Sequence, residues 1–225
     1  MSSDFPITPG ALQTTIICTI YTPGCANGFV TKINPEESAL VYSTYLSGGA
    51  GGEGSGIAAD GEGNAYVAGT LYTPTYGRLG NLNYAINNRA FADKINPAGS
   101  AFVYFNEPLI SQFGFGSGIA VDSSGSAYVI GTTTNYYEQE YYAYVIKLNP
   151  SGSVLGSPTH LGSNGIGIAT DNAGNAYVTG LAGLKFPTKK ALQATYGGDG
   201  DAFVTKVDMG ALTKKMCIRD SLRNF

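Results

Sequence analysis

The sequence contains no tryptophan and has little charge, histidine or cysteine. Charged residues make up 13% of its 225 residues, about half the usual fraction. The thirteen basic residues are scattered and the net charge is −3, so we expect no nucleic-acid partner, which would need clustered lysine and arginine. No apolar run approaches the roughly 20 residues of a membrane helix, so we expect no membrane span.

Catalytic and metal-binding motifs are also missing. The sequence has no G-x-S-x-G, H-E-x-x-H or phosphate-binding loop, and its three cysteines form no C-x-x-C pair. His160 is the sole histidine, and without a serine or cysteine motif nearby we expect it to be a loop residue. We therefore predict no catalytic residue, no metal and no cofactor.

Glycine (32 residues) and tyrosine (16 residues) are abundant, together with threonine, serine and valine. This composition favours short strands joined by tight turns over helices, whose exposed faces are rich in alanine, leucine, glutamate and lysine.

One segment occurs three times, at residues 56–69, 118–131 and 167–180. Its first copy reads Gly-Ile-Ala-Ala-Asp-Gly-Glu-Gly-Asn-Ala-Tyr-Val-Ala-Gly. A second segment, Phe-Val-Thr-Lys-Ile-Asn-Pro at 29–35, returns at 91–97 and 144–150 and in part at 203–208. Phe5-Pro6 and the residues after it also match Phe186-Pro187. These recurrences define a tandem repeat.

The repeats span residues 4–213, with approximate units 4–71, 72–133 and 134–182 and a truncated unit 183–213. Each unit predicts four strands: the Phe-Val-Thr-Lys stretch, a strand such as 39–46, the Gly-Ile-Ala stretch, and the Ala-Tyr-Val stretch. Four short antiparallel strands per repeat are typical of propeller blades. We therefore predict an all-β fold, a β-propeller of four-stranded antiparallel blades present as an incomplete set of about 3.5.

The Asp-x-x-Gly sequences predict structural turns, because the aspartate can accept backbone N–H bonds and glycine can adopt positive φ. The paired residues are Asp60 and Gly63, Asp122 and Gly125, and Asp171 and Gly174. A calcium site is the alternative for the oxygen-rich first copy, but Ser124 and Ala173 replace the inner acid in the other copies.

The repeats resemble the bacterial β-propeller repeat family called SBBP. The resemblance rests on Asp-Ala-Phe-Val-Thr-Lys at 201–206, Ser-Ala-Leu-Val-Tyr-Ser-Thr-Tyr-Leu at 38–46 and Gly-Ile-Ala-Val-Asp-Ser-Ser-Gly at 118–125. It implies a secreted or cell-surface bacterial protein, and it implies no particular activity. Residues 72–90 and 104–115 diverge from the family pattern, and 154–158 replace its usual Tyr-Ser-Thr-Tyr strand.

Residues 214–225 break the pattern, and Met-Cys-Ile-Arg-Asp-Ser at 216–221 resembles translated adapter sequence. We expect this tail to be non-native and the chain to be a fragment of a larger protein with further propeller blades. The missing signal peptide is then no argument against an extracellular or cell-surface location.

Two groups of side chains are candidate sites. Cys18 and Cys25 lie in a stretch of about six extra residues, where they form either a disulfide or two unpaired thiols. Tyr136, Tyr137 and Tyr141 belong to the densest tyrosine cluster and are candidate ligand-binding residues, because an exposed tyrosine offers a flat apolar face and a hydroxyl. Ordinary strand packing is the alternative for these tyrosines.

The sequence supports two functional hypotheses. The first is a non-catalytic extracellular repeat module that acts as a scaffold, in adhesion, or in binding a protein or carbohydrate ligand. The second is part of an enzyme-type propeller, a lyase or glycosidase, whose catalytic residues lie on other blades. Acids that recur in every repeat suit a turn and not a single active site, which favours the first hypothesis.

Overall fold

In the computed structural model, the described residues are 4–17, 26–46, 51–75, 85–107, 109, 114–135, 140–184, 186–198 and 200–209. They contain no helix, and thus no helix that is long and apolar enough to cross a membrane. Cys18, Cys25, Tyr136, Tyr137 and the 214–225 tail lie outside the described residues.

Strands account for all the regular structure in the described residues, as the sequence predicted. They are β1 (Gly28–Ile33), β2 (Leu40–Leu46), β3 (Gly52–Ala59), β4 (Ala65–Thr75), β5 (Ala85–Ile95), β6 (Phe102–Tyr104), β7 (Gly114–Val121), β8 (Ala127–Asn135), β9 (Glu140–Leu148), β10 (Val154–Thr170), β11 (Asn175–Ala182) and β12 (Asp201–Asp208).

The strands form antiparallel sheets in sequence order. One sheet pairs β1 with β2, a second has the order β3-β4-β5-β6, and a third has the order β7-β8-β9-β10-β11-β12. The four-stranded sheet takes β3 and β4 from the first sequence unit and β5 and β6 from the second, so sheets and sequence units are offset by half a repeat. The all-β class built of four-stranded antiparallel repeats is confirmed.

The third sequence unit differs from the prediction of four separate strands, because its second and third strands are one continuous strand. The first half of β10 pairs with β9 and the second half pairs with β11. Register shifts between Leu155 and Thr159 and between Gly162 and Ser163 bend the strand. Pro158 lies in the first shift, where no ladder hydrogen bond is required of it. These irregularities let β10 change partner without a loop.

Asn-Pro turns end the strands that the Phe-Val-Thr-Lys stretches form. Asn34 Oδ1 accepts hydrogen bonds from the backbone N–H groups of Ser38 and Ala39, both at 2.9 Å. Asn149 Oδ1 accepts corresponding bonds from Ser151 at 3.1 Å and Ser153 at 2.8 Å. The asparagine side chain therefore accepts hydrogen bonds from backbone N–H groups that have no partner strand at the turn.

The chain divides into two compact units, Met1–Gly116 and Ser117–Phe225, each with its own apolar core. The core of the first unit joins the β1–β2 sheet to the β3–β6 sheet through Val30, Tyr42, Leu46, Ala65, Val67, Leu71, Phe91 and Ile95. The core of the second unit joins the β8–β9 part of its sheet to β11 and β12 through Tyr128, Ile130, Ala143, Val145, Leu161, Ala176, Val178, Ala182, Phe203, Val207 and Met209.

Candidate functional site

The first Asp-x-x-Gly turn is a closed hydrogen-bond network centred on Asp60. Its Oδ1 accepts backbone N–H bonds from Glu62 at 3.0 Å and Asn64 at 2.9 Å. Its Oδ2 accepts the side-chain amide of Asn64 at 2.8 Å and the hydroxyl of Tyr66 at 3.0 Å. Gly63 has a φ of 84°, the left-handed conformation that the hairpin requires.

The other two copies repeat this geometry. The hydroxyl of Tyr128 donates to Asp122 Oδ2 at 2.8 Å, and that of Tyr177 donates to Asp171 Oδ2 at 3.1 Å. In both turns the other carboxylate oxygen accepts backbone N–H bonds two and four residues further along the chain. The tyrosine six residues after each aspartate is therefore part of the turn, a role that the sequence had not suggested.

A lysine from the neighbouring strand completes each network. Lys94, Lys147 and Lys206 place their Nζ atoms 4.7, 4.8 and 5.2 Å from the ring centres of Tyr66, Tyr128 and Tyr177, respectively, which is the range of a cation–π contact. Lys94 Nζ also lies 3.4 Å from Asp60 Oδ2, and Lys206 Nζ lies 3.7 Å from Asp171 Oδ2. We call this arrangement the Asp–Tyr–Lys network.

The networks hold their carboxylates in the ionised form. Burial alone would raise the pKa of Asp60, but hydrogen bonds from Asn64, Tyr66 and Lys94 outweigh it and lower the pKa to about 2. The backbone and side-chain hydrogen bonds of Asn175 lower the pKa of Asp171 to about 2. A carboxylate with such a low pKa, whose two oxygens already accept hydrogen bonds, is a poor general base. Its role in this geometry is to stabilise the turn.

The predicted tyrosine site is described only in part. Tyr141 on β9 is exposed, while Tyr142 packs edge-on against the His160 ring at 6.5 Å and Tyr144 is fully buried. Tyr141 and Tyr142 point to opposite faces of the strand, because side chains alternate. His160 lies within β10 and pairs with Tyr144, so its expected place in a loop is wrong.

Among the described residues no group of three histidine, cysteine, aspartate or glutamate side chains is placed to share a metal ion. The possible Cys18–Cys25 disulfide stays a prediction, since both residues lie outside the described ranges.

A cavity of about 220 Å³ lies in the first unit, between the β1–β2 sheet and the outer edge of the β3–β6 sheet. It is lined by Gln13, Leu46, Leu71, Phe91, Phe102, Phe105 and Glu107. The rings of Phe102 and Phe105 are 5.8 Å apart and both are partly exposed. The cavity lining combines five apolar side chains with one amide and one carboxylate.

The short β6 strand opens this cavity. β6 has three residues, whereas β2, the corresponding strand of the previous sheet, has seven. After β6 the chain continues irregularly beside β5, where the N–H of Ala92 donates to the carbonyl of Asn106 at 3.3 Å. This irregular segment places Phe105 and Glu107 at the cavity, and it falls in the 104–115 stretch that diverges from the repeat.

A second carboxylate lies buried near Glu107. Asp93 on β5 is 1% exposed; its Oδ1 accepts the backbone N–H of Asn106 at 3.1 Å. Its Oδ2 and the hydroxyl of Tyr104 are buried without a hydrogen-bond partner in the described part of the chain. Burial and the nearby Glu107 charge raise the pKa of Asp93 to about 8. Glu107 is exposed to solvent, but its carboxyl group is partly desolvated, which raises its pKa as well.

The prediction from sequence missed Asp93 and Glu107. One signal was available for Asp93: the corresponding positions of the other copies are Thr31, Ile146 and Thr205, so Asp93 is the single acid at a position of uncharged residues. An acid that breaks the repeat is a better candidate for a specific role than one that recurs with it.

A comparison with known families gives a match over part of the chain. The family model of the SBBP Beta-propeller repeat matches residues 41–70, which run from β2 through the Asp60 turn into β4. No curated protein matches the chain.

Proposed function

Because residues 41–70 form an SBBP beta-propeller repeat, we propose that the chain is a non-catalytic propeller module of a secreted or cell-surface protein. It would act as a rigid scaffold or adhesion module that can present a ligand-binding surface. The observation that carries the proposal is the recurrence of the Asp–Tyr–Lys network in three successive repeats.

The recurrence of the Asp–Tyr–Lys network in three successive repeats favours a structural role over a catalytic one. An active site needs a few groups at one place, while a repeated fold needs the same groups in every repeat. Asp60, Asp122 and Asp171 are bound within their own hairpins, which leaves their oxygens no role toward a substrate. The low overall charge and the scattered basic residues likewise argue against a polyanionic partner.

A screen for binding and for turnover on the same purified chain tests this proposal. We expect binding to members of a panel of immobilised glycans and extracellular-matrix proteins, with no cleavage of polysaccharides or chromogenic glycosides. Turnover that co-purifies with the folded chain and disappears in Glu107→Gln would overturn the non-catalytic assignment.

Ligand binding in the cavity is the second candidate, favoured by its three phenylalanines with Gln13 and Glu107. A sugar ring has an apolar face that packs on aromatic rings and hydroxyls that bond to an amide and a carboxylate. For a glycan retained on the panel, we expect Phe105→Ala and Glu107→Gln each to weaken binding by about tenfold or more.

Val103→Ala is the matched control for the cavity variants, since Val103 is exposed on β6 beside the cavity residues without lining it. Equal loss of binding in all three variants would exclude the cavity as the binding site.

The enzyme-type alternative, a lyase or glycosidase, is favoured by one observation, the raised pKa values of Asp93 and Glu107 next to a cavity. Against it, Asp93 is fully buried, and Glu107 is the one acid among the described residues that line this cavity. Glycoside hydrolysis generally uses two carboxylates that both reach the scissile bond.

The extracellular location is open to a direct test. If the protein is on the cell surface, mild protease treatment of intact producing cells should digest it. If it is secreted, it should be found in the culture medium. Full protection in intact cells, with digestion only after lysis, would contradict a secreted or surface location.

A further inference from the structure

Two side chains beside the cavity of the first unit depart from the repeat. Asp93 and Phe105 occupy the repeat positions of Thr31 and Ser43. In the β1–β2 sheet the two hydroxyls at these positions share a hydrogen bond of 2.9 Å. An acid and an aromatic ring replace this pair beside the cavity, so Asp93 Oδ2 loses the partner that the repeat provides and is buried without one among the described residues.

Asp93 lies directly behind the wall of the cavity. Phe105 and Glu107 line the cavity. Asn106, the residue between them, donates its backbone N–H to Asp93 Oδ1 at 3.1 Å. Asp93 also shares one face of β5 with the lining residue Phe91, because side chains alternate along a strand. One carboxyl group therefore lines the cavity and a second lies behind the same wall.

In the described part of the chain, neither of these acids has a cationic partner. No described lysine or arginine forms an ion pair with Asp93 or Glu107, and Lys94, the neighbour of Asp93 on β5, lies 3.4 Å from Asp60 instead. Burial and then the charge of Glu107 raise the pKa of Asp93 to about 8, so Asp93 is largely protonated at neutral pH. Glu107 is thus a lining carboxylate without a counter-charge in the described ranges.

The aromatic part of the lining suits the apolar face of a ring. Phe102 and Phe105 are 39% and 59% exposed, and their ring centres lie 5.8 Å apart. At about 220 Å³ the cavity is smaller than the roughly 300–1,000 Å³ of sites for drug-sized ligands, which suits a single sugar ring. An ammonium group near these rings would also gain cation–π attraction.

We propose that the cavity binds the ring of an amino sugar whose amine is free and protonated, with the ammonium group paired to Glu107. The apolar face of the sugar ring packs on Phe102 and Phe105. This inference rests on the second candidate function, ligand binding in the cavity, and it names the chemical class of that ligand.

Charge complementarity selects this class among sugars. A neutral hexose leaves the Glu107 carboxylate uncompensated, and a uronic acid adds a second negative charge beside it. A cation next to Glu107 also favours the ionised form of Asp93 behind the wall, which adds to the attraction. An amino sugar is therefore the kind of sugar whose polar and apolar parts both find a matching group.

The test is NMR titration of the full chain with the methyl glycosides of glucosamine, glucose and N-acetylglucosamine, which differ only at carbon 2. At about pH 6.5 the first carries an ammonium group and the other two are neutral. Each ligand has at most one charge, so multivalent attraction to an acidic protein is avoided. We expect the glucosamine glycoside to bind at least about tenfold more tightly than either neutral glycoside, because a hydrogen bond between charged groups is stronger than one to a neutral group.

Three variants locate the source of this preference. Glu107→Gln keeps the size of the side chain and removes its charge, and we expect the affinities for the three sugars to converge to within about threefold. Phe105→Ala should weaken the binding of all three sugars and keep the preference, because every ring packs on this phenylalanine. Glu36→Gln, at an exposed turn acid, is the matched control and should change neither affinity nor preference. Circular dichroism verifies the folding of each variant.

The outcomes separate this inference from the candidate function beneath it. Equal binding of the three sugars would overturn the inference and leave ligand binding in the cavity standing. Absence of binding by all three would overturn both. A preference that survives Glu107→Gln, or that Glu36→Gln abolishes equally, would place the selection outside the cavity and overturn the inference. The proposal of a non-catalytic propeller module does not depend on any of these results.

Discussion

Aspartate has two opposite environments in the described residues. In the turns, hydrogen-bond donors surround the carboxylate and lower the pKa of Asp60 despite its partial burial. On β5, a single backbone N–H bonds Asp93, and burial raises its pKa to about 8. The first arrangement stabilises the charged form and the second disfavours it. The contributions of the two kinds of aspartate to folding stability therefore change with pH in opposite directions.

We expect Asp93 to make the first unit less stable at alkaline pH. Its folded-state pKa exceeds the unfolded value of about 3.9, so its stabilisation is complete below about pH 4 and is lost as the pH rises through about 8. We expect Asp93→Asn to raise the free energy of unfolding at pH 9 by at least about 2 kcal/mol, with a much smaller effect at pH 4. Urea denaturation at both pH values measures this.

Glu36→Gln is the control for the titration of Asp93, because Glu36 is an exposed turn acid. An equal gain at pH 4 and pH 9 in Asp93→Asn would show that the effect of Asp93 is not due to its ionisation.

The hydroxyl of Tyr128 should contribute measurably to stability. It donates to the ionised Asp122 from a buried ring, so Tyr128→Phe should lower the free energy of unfolding at pH 7 by about 1.5–3 kcal/mol. Tyr177→Phe removes the same bond at the more exposed Asp171 and should have a smaller effect. Chemical denaturation of the two variants compares them, and a larger loss at Tyr177 would contradict the argument from burial.

At the scale of the strand, a glycine near the middle of β4 and of β11 permits close packing of the sheet. Gly69 and Gly180 hold the same repeat position, opposite a register shift in the preceding strand. A Cβ at Gly180 would collide with the carbonyl oxygen of Asn164 and lie 2.9 Å from the Phe203 ring. The glycine is therefore required by the packing of three adjacent strands.

Gly180→Ala should destabilise the second unit by about 2–4 kcal/mol, because the clash involves backbone and a buried ring. Gly61→Ala, at a turn position with no atom within 4 Å of the added Cβ, should change stability by about 0.5 kcal/mol or less. Thermal unfolding distinguishes the two, and a similar small effect in both would mean that β11 moves to accommodate the methyl group.

The strands and their order could be predicted from sequence, because the repeat and its period-two alternation encode them locally. The fusion inside β10 could not, since Gly156, Ser157 and Pro158 resemble a turn and become a bulge only through pairing with β9. The cavity was equally inaccessible, because it depends on how the divergent segment after Tyr104 runs beside β5. Of the two missed acids, Asp93 left a local signal, its departure from the repeat.

For the molecule as a whole, we expect the scarcity of charge to limit solubility. The chain has 13 basic and 16 acidic residues and an isoelectric point near 5.1. Self-repulsion is therefore weak at pH 7 and vanishes near pH 5. We expect solubility to reach its minimum near pH 5 and to rise several-fold by pH 8, as measured by light scattering of dialysed samples. A flat profile across this range would mean that charge does not limit solubility.

The continuous strand β10 gives the second unit a mechanical property. Its 17 residues pair with β9 at one end and with β11 at the other, and Ser163 lies in register with residues of both partners. Tension along this strand passes directly from one half of the sheet to the other through backbone, on the order of 50 Å at about 3.3 Å per residue. Because no loop separates the two halves of β10, a stretching load on this strand would be shared by its hydrogen-bonded ladders with β9 and β11.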